Sequence, residues 1–184
     1  MQKYVVLLRG INVGGNKIVP MAQLKKALEK EGYENVKTLL ASGNVLLDAK
    51  ASSPDALTKS LAALLEKTFG FPIPTLVRPF SEVEKLVAKD PFKDIPVTKD
   101  TRLYVTFLPE DAKKSTLKIP YASSDGNFRI FLQSDHELCS ILTVTPDRGS
   151  VDAMEILDKE FGKGITTRNW NTVLKIAKAG ETEG

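Results

Sequence analysis

The sequence predicts an α+β protein built from two intimately packed ferredoxin-like (βαββαβ) subdomains, each followed by an extra helix. Three observations predict it. The first 79 residues read strand, helix, strand, strand, helix, strand, the split βαβ order. The two middle strands, at 36–40 and 45–47, are joined by so short a turn that they must be antiparallel. A linker with two prolines, at 90–96, is followed by a weaker version of the same order. The expected boundaries are 1–90 for the first subdomain and its helix, 91–100 for the linker, 101–180 for the second, and 181–184 for a frayed tail, with Gly180 also expected to fray.

Taken in order, Tyr4-Val5-Val6-Leu7-Leu8 is apolar without alternation, as in a strand covered on both faces. A loop rich in Gly and Asn follows. Pro20 opens a helix whose apolar face is Met21, Leu24, Ala27 and Leu28, and Gly32 ends it. The hairpin comes next, turning at Ser42-Gly43-Asn44. Ser53 then caps a helix with Pro54 in its first turn, Leu57, Leu61, Leu64, Leu65 and Phe69 as its buried stripe, and Gly70 as its stop. Thr75-Leu76-Val77 forms the fourth strand. Ser81 and Glu84 have the spacing of a capping box for a further helix.

In the second half, 103–107 reads as a strand and 110–116 as a short helix or turn. Segments 128–131 and 138–144 form a hairpin. Ser150 is placed to cap a helix carrying Val151, Met154, Ile156, Leu157 and Phe161. A short strand at 164–167 leads into a last helix, capped by Asn169 and bearing Trp170, Val173, Leu174 and Ala177.

Composition bounds the function. The chain has 184 residues, 42% of them apolar and 27% charged, a soluble globular balance. Its net charge is only +3, but residues 1–50 carry eight basic and four acidic side chains. An anion-binding face is therefore expected in the first quarter. A strong nucleic-acid binder would show a larger basic patch. The single cysteine, Cys139, excludes an internal disulfide and lies in an apolar run, as a buried inert thiol does. There is no leader pattern and no apolar stretch of about 20 residues to cross a bilayer. The expected setting is cytoplasmic, without a membrane partner.

The densest chemistry lies in three segments. Leu8-Arg9-Gly10-Ile11-Asn12-Val13-Gly14-Gly15-Asn16-Lys17 holds three glycines, two asparagines and two cations. Its spacing fits neither the Walker A loop nor the dinucleotide fingerprint. It reads either as a backbone nest for an anion, helped by Arg9 or Lys17, or as glycines kept for turns and close packing. The turn Ser42-Gly43-Asn44 suits hairpin geometry. From the ferredoxin-like order, this turn is expected at the opposite end of the sheet from the loop after the first strand. Thr166-Thr167-Arg168-Asn169-Trp170-Asn171-Thr172 gathers polar groups around one arginine at a strand-to-helix junction, as an anion site or as a capped helix start.

Other chemistries are poorly supplied. His136 is the only histidine and sits in a polar turn, so a histidine metal cluster is excluded. No zinc spacing and no paired carboxylates stand out, and neither a metal nor a cofactor is expected. A sheet that stacks RNA bases needs exposed aromatics, which Val45-Leu46-Leu47 lacks, although Tyr104, Phe128 and Phe131 offer some in the second half.

Arg9-Gly10-Ile11-Asn12-Val13-Gly14-Gly15, Ser42-Gly43-Asn44-Val45 and Thr167-Arg168-Asn169-Trp170-Asn171-Thr172 resemble the signature segments of the bacterial domain-of-unknown-function family 1697 (DUF1697). The resemblance spans nearly the whole chain. It implies two ferredoxin-like subdomains and no established activity, substrate or catalytic residue.

The leading expectation is the binding of a small anionic or nucleotide-like ligand, with its turnover left open. Arg9, Asn12, Lys17 and Arg168 would contact the anion. Gly14 and Gly15 would shape the loop, Ser42 and Asn44 would contribute from the turn, and Asn169 and Asn171 would orient polar groups. A nucleic-acid-binding protein and an interaction module without catalysis are the alternatives. The oligomeric state is left open.

Overall fold

The computed structural model describes residues 1–145 and 152–181. The chain divides into two compact units, residues 1–85 with 175–184, and residues 86–174. The fold is mixed α+β, with two antiparallel sheets and five helices among the described residues.

The first unit opens with β1 (Gln2–Leu8), α1 (Met21–Lys30), β2 (Glu34–Leu39), β3 (Asn44–Ala49), α2 (Pro54–Phe69) and β4 (Thr75–Pro79). Its sheet has the order β2-β3-β1-β4, every neighbour antiparallel. Alternate residues of each strand share a face, so Tyr4, Val6 and Leu8 join Val45, Leu47 and Val77 in one core. Leu24 and Leu28 of α1 and Leu57, Leu61 and Leu65 of α2 close it from above. Helix α2 starts as its sequence predicts: Ser53 Oγ accepts from the Ala56 N–H at 3.2 Å and Pro54 follows. Gly70, left-handed at φ 80°, ends it. Helix α3 (Phe80–Lys89) leaves β4 directly, so Ser81 lies inside its first turn rather than ahead of it.

The second unit holds β5 (Thr101–Phe107), β6 (Tyr121–Ala122), β7 (Phe128–Gln133), β8 (Glu137–Thr143), α4 (Ala153–Phe161) and β9 (Thr166–Asn169), which leads into α5 (Trp170–Glu181). Its sheet order is β6-β7-β8-β5-β9. Without the two-residue β6, this is the strand order of the first sheet. The helix expected near 110–116 is absent. A turn at 110–111 is followed by irregular chain, whose Ala112, Leu117 and Ile119 pack on the Phe128–Leu138–Leu157 core. That stretch holds Lys113, Lys114, Ser115 and Thr116, too few apolar residues at helical spacing to cover a sheet.

Two further expectations are corrected. Asp152 caps α4, its Oδ1 accepting from the Met154 and Glu155 N–H groups at 3.0 and 3.2 Å; Ser150 and Val151 lie outside the described residues. Gly180 and Glu181 are helical, not frayed, and the Gly180 carbonyl accepts from Lys3 Nζ at 2.6 Å.

Candidate functional site

The loop after β1 and the turn after β2 lie together, against the sequence-based expectation. The register shows why. Leu7 of β1 and Leu39 of β2 both face Asn44, the first residue of β3. Since β3 runs against both neighbours, β1 and β2 run parallel and finish at the same sheet edge. The Leu8 N–H donates to Gly43 O at 2.8 Å, and the Arg9 N–H to Pro74 O at 2.9 Å, so the start of β4 shares that edge.

Asn12 organises the loop. It sits at φ 55°, a region that Asn tolerates better than most side chains. Its Nδ2 donates to Val19 O at 3.0 Å and to Ala41 O at 2.8 Å, while its Oδ1 accepts from the Val19 N–H at 2.8 Å. The amide therefore closes the loop on itself and ties it to the β2–β3 turn. Its side chain is a brace rather than a hook for solvent. Beyond it the chain forms a small finger: the Asn12 N–H donates to Lys17 O, and the Asn16 N–H to Val13 O, both at 3.1 Å. Gly14 and Gly15 form the tip at φ 60° and 75°, positive at both central positions as a type I′ turn requires. A Cβ at either glycine would meet nothing within 4 Å. Lys17 is exposed and Arg9 half-buried at the root.

Gly43 has a different reason to be glycine. At φ 86°, a Cβ there would lie 2.8 Å from both Ile11 Cδ1 and Leu8 Cβ. Asn44 is fully buried, and its Nδ2 donates to Leu39 O at 2.9 Å and Ser42 Oγ at 3.1 Å. Ser42 and Asn44 thus build the turn. The carbonyls of Val19 and Ala41 could not be foreseen from the sequence, because backbone acceptors leave no mark in residue type.

Arg168, Asn169 and Asn171 belong to the second unit. Arg168 lies on β9 opposite Val105 and is buried, and its Nη1 donates to Thr167 O at 3.0 Å. Loss of solvent pulls its pKa down to about 10. Asn169 and Asn171 are exposed on either side of buried Trp170, which packs on Phe92 at 5.1 Å between ring centres. The first unit carries a counterpart. Arg78 lies opposite Val5, is buried, donates from Nη1 to Val77 O at 3.0 Å, and precedes by two residues the aromatic Phe80 that starts α3. Its Nε lies 3.8 Å from Glu82 Oε2.

The model of the family described as "Protein of unknown function (DUF1697)" matches residues 1–134, a span that includes the whole loop edge. The chain belongs to the DUF1697 family. No curated protein matches it. Among solved structures, a conserved bacterial protein from Streptococcus pneumoniae is similar at a TM-score of 0.62 and 21% identity, over 96% of this chain and 97% of that one. That likeness concerns the fold. Among the described residues of this DUF1697 protein, no helix is long and apolar enough to cross a membrane. No group of three or more His, Cys, Asp or Glu among them is placed to hold a metal ion.

Proposed function

We propose that this DUF1697 protein binds a small anionic or nucleotide-like ligand on the Asn12-braced loop of the first unit. One observation carries this: the Asn12 side chain is fully engaged with Val19 and Ala41, so the Gly14–Gly15 tip stands out with open space over both Cα atoms. A rigid glycine tip lets an anion approach backbone N–H groups closely. Lys17 and Arg9 supply the charge, and Ser42 and Asn44 fix the adjoining turn. We treat Arg168, Asn169 and Asn171 as a separate candidate segment, to be tested by its own variant.

The experiment is a thermal-shift and calorimetric titration with nucleotides, phosphosugars and inorganic pyrophosphate on the wild type, Arg9→Ala, Lys17→Ala, Arg168→Ala and a Lys50→Ala control. A binder at about 100 times its Kd raises stability by about 2.7 kcal/mol. The gain should vanish in Lys17→Ala and persist in Lys50→Ala. Silence for every anion at low salt overturns the proposal. Single-stranded RNA and duplex DNA in the same panel test the nucleic-acid alternative, whose affinity would fall steeply with added salt.

A second reading has its own observation. Val13, Ile18 and Leu40 are 69%, 55% and 48% exposed, and all three lie on the two loops that Asn12 joins. Apolar residues exposed together favour a protein contact. Self-association that disappears in a Val13→Ser/Ile18→Ser/Leu40→Ser variant would establish a second copy as the occupant; a monomer at high concentration rejects it.

We infer as well that the chain is a duplicated ferredoxin-like pattern. The shared strand order and the pairs Val5–Arg78 and Val105–Arg168 support this.

A further inference from the structure

The two sheets can be compared position by position through their registers. Tyr4 faces Leu47 as Tyr104 faces Ser140, and Val6 faces Val77 as Thr106 faces Thr167. Val6, Leu47 and Val77 are buried core in the first unit. The matching positions of the second unit, Thr106, Ser140 and Thr167, all carry hydroxyls. A sheet face that needs only to pack beneath helices has no use for three of them.

Thr106 and Thr167 satisfy each other, Oγ1 to Oγ1 at 2.8 Å. Ser140 does not share in this. It is 0% exposed, and its Oγ has no hydrogen-bond partner among the described residues. A buried hydroxyl left so is destabilising, a cost that the leucine at the matching position avoids. Ser140 lies among the residues that line a cavity of about 440 Å³ between this sheet face and α4. That volume is within the range of small-molecule sites. Phe128, Leu142 and Leu157 give it apolar walls, Tyr104 and Thr167 join Ser140 on the floor, and Asp152 stands exposed at its edge. In the first unit the matching tyrosine is sealed: Tyr4 Oη donates to Ser52 O at 2.9 Å and accepts from the Ser52 N–H at 3.0 Å.

Among the described residues, the Asp152 carboxylate is the only charged group lining the cavity. An anion would meet repulsion there, with no cation among the described lining residues to offset it. We propose that this cavity is a binding site, separate from the loop of the first unit, for a compact amphipathic amine. Its apolar or aromatic body packs on Phe128, Leu142 and Leu157. A hydroxyl at one end bonds Ser140, and an ammonium at the other faces Asp152.

The test is a methyl-resolved NMR titration of the intact chain with tyramine, phenethylamine, 4-ethylphenol and 4-hydroxyphenylpropionate. Tyramine should shift the Met154, Leu142 and Leu157 methyl signals saturably and bind tightest of the four. Ser140→Ala should weaken tyramine about tenfold and bring it level with phenethylamine, the loss of one hydrogen bond. Asp152→Asn still caps α4; it should weaken tyramine and leave 4-ethylphenol unchanged. Ser140→Cys, nearly isosteric but a weak hydrogen-bonding group, should show the same loss and gives a second variant should Ser140→Ala misfold. No saturable shift with tyramine at millimolar concentration overturns the proposal, and so does the carboxylate compound binding as tightly as tyramine. Equal tyramine affinity in the wild type and in folded Ser140→Ala does the same.

Discussion

The side-chain amide of Asn12 donates to the carbonyl of Ala41 at 2.8 Å, across 29 residues of sequence. One polar side chain thereby joins the Gly/Asn loop to the hairpin turn. Three hydrogen bonds of about 1 kcal/mol each depend on it. Asn12→Ala loses them and also puts a Cβ without polar compensation at positive φ, so it should cost roughly 3–5 kcal/mol. Asn12→Gly loses the bonds but relaxes the backbone, and should be the milder change. Urea midpoints at unchanged m-value decide the order.

Gly14 and Gly43 both have positive φ, yet they should respond differently to alanine. Gly14→Ala meets open space and should cost only the backbone strain, about 1–2 kcal/mol. Gly43→Ala adds a clash with Ile11 and Leu8, for roughly 2–5 kcal/mol in total. Ile11→Val removes the Cδ1 atom that the new methyl would strike. The double variant should therefore be more stable than the two single losses predict, and a denaturation cycle measures that coupling.

Gly180 lies within α5, where alanine ordinarily stabilises a helix by about 1 kcal/mol. Here the sign should reverse, because a Cβ at Gly180 would run into the ring of Phe80. Thermal unfolding should show Gly180→Ala destabilised in the wild type. In a Phe80→Leu background the loss should shrink or become a gain.

Cys139 is fully buried, and desolvation, with a smaller contribution from the Glu137 charge, pushes its thiol pKa up to about 12. At pH 8 almost no thiolate exists in the folded chain, so iodoacetamide labelling should follow unfolding rather than pH. The folded pKa is raised, so stability is present below the unfolded value near 9 and is lost as pH climbs towards 12. Arg168 acts oppositely above about 10, where the folded chain gives up a proton that the unfolded chain keeps. The Cys139 contribution should thus be clearest between pH 9 and 10, as a fall in the urea midpoint that Cys139→Ala removes.

Most strands and the α2 helix are legible because each carries local chemistry: Ser53, Pro54 and Gly70 mark a start and a stop, and Leu57, Leu61 and Leu65 mark a face; the two-residue β6 carries no such mark, and the last strand lies at Thr166–Asn169 rather than at 164–167. The edge at which two loops meet was not local. It depends on counting strand directions, and β1 and β2 run parallel only because β3 lies between them. Asn12 looked like a ligand contact because residue type does not say whether an amide points to solvent or to the carbonyls of Val19 and Ala41. Ser140 left a fainter signal. It interrupts the inward-facing series Leu138, Ser140, Leu142, a polar residue at a core position of a strand, and only the sheet register shows that its counterpart is Leu47.

The first unit is assembled from two distant pieces of chain, residues 1–85 and 175–184. Lys3 finds its acceptor at Gly180, 177 positions later. On a ribosome, β1 is therefore exposed long before the segment that completes its unit is made, and the second unit is synthesised in the interval. An excised 1–85 fragment would lack the returning stretch. A circular permutant that fuses 175–184 ahead of Gln2 would make the two pieces neighbours in sequence.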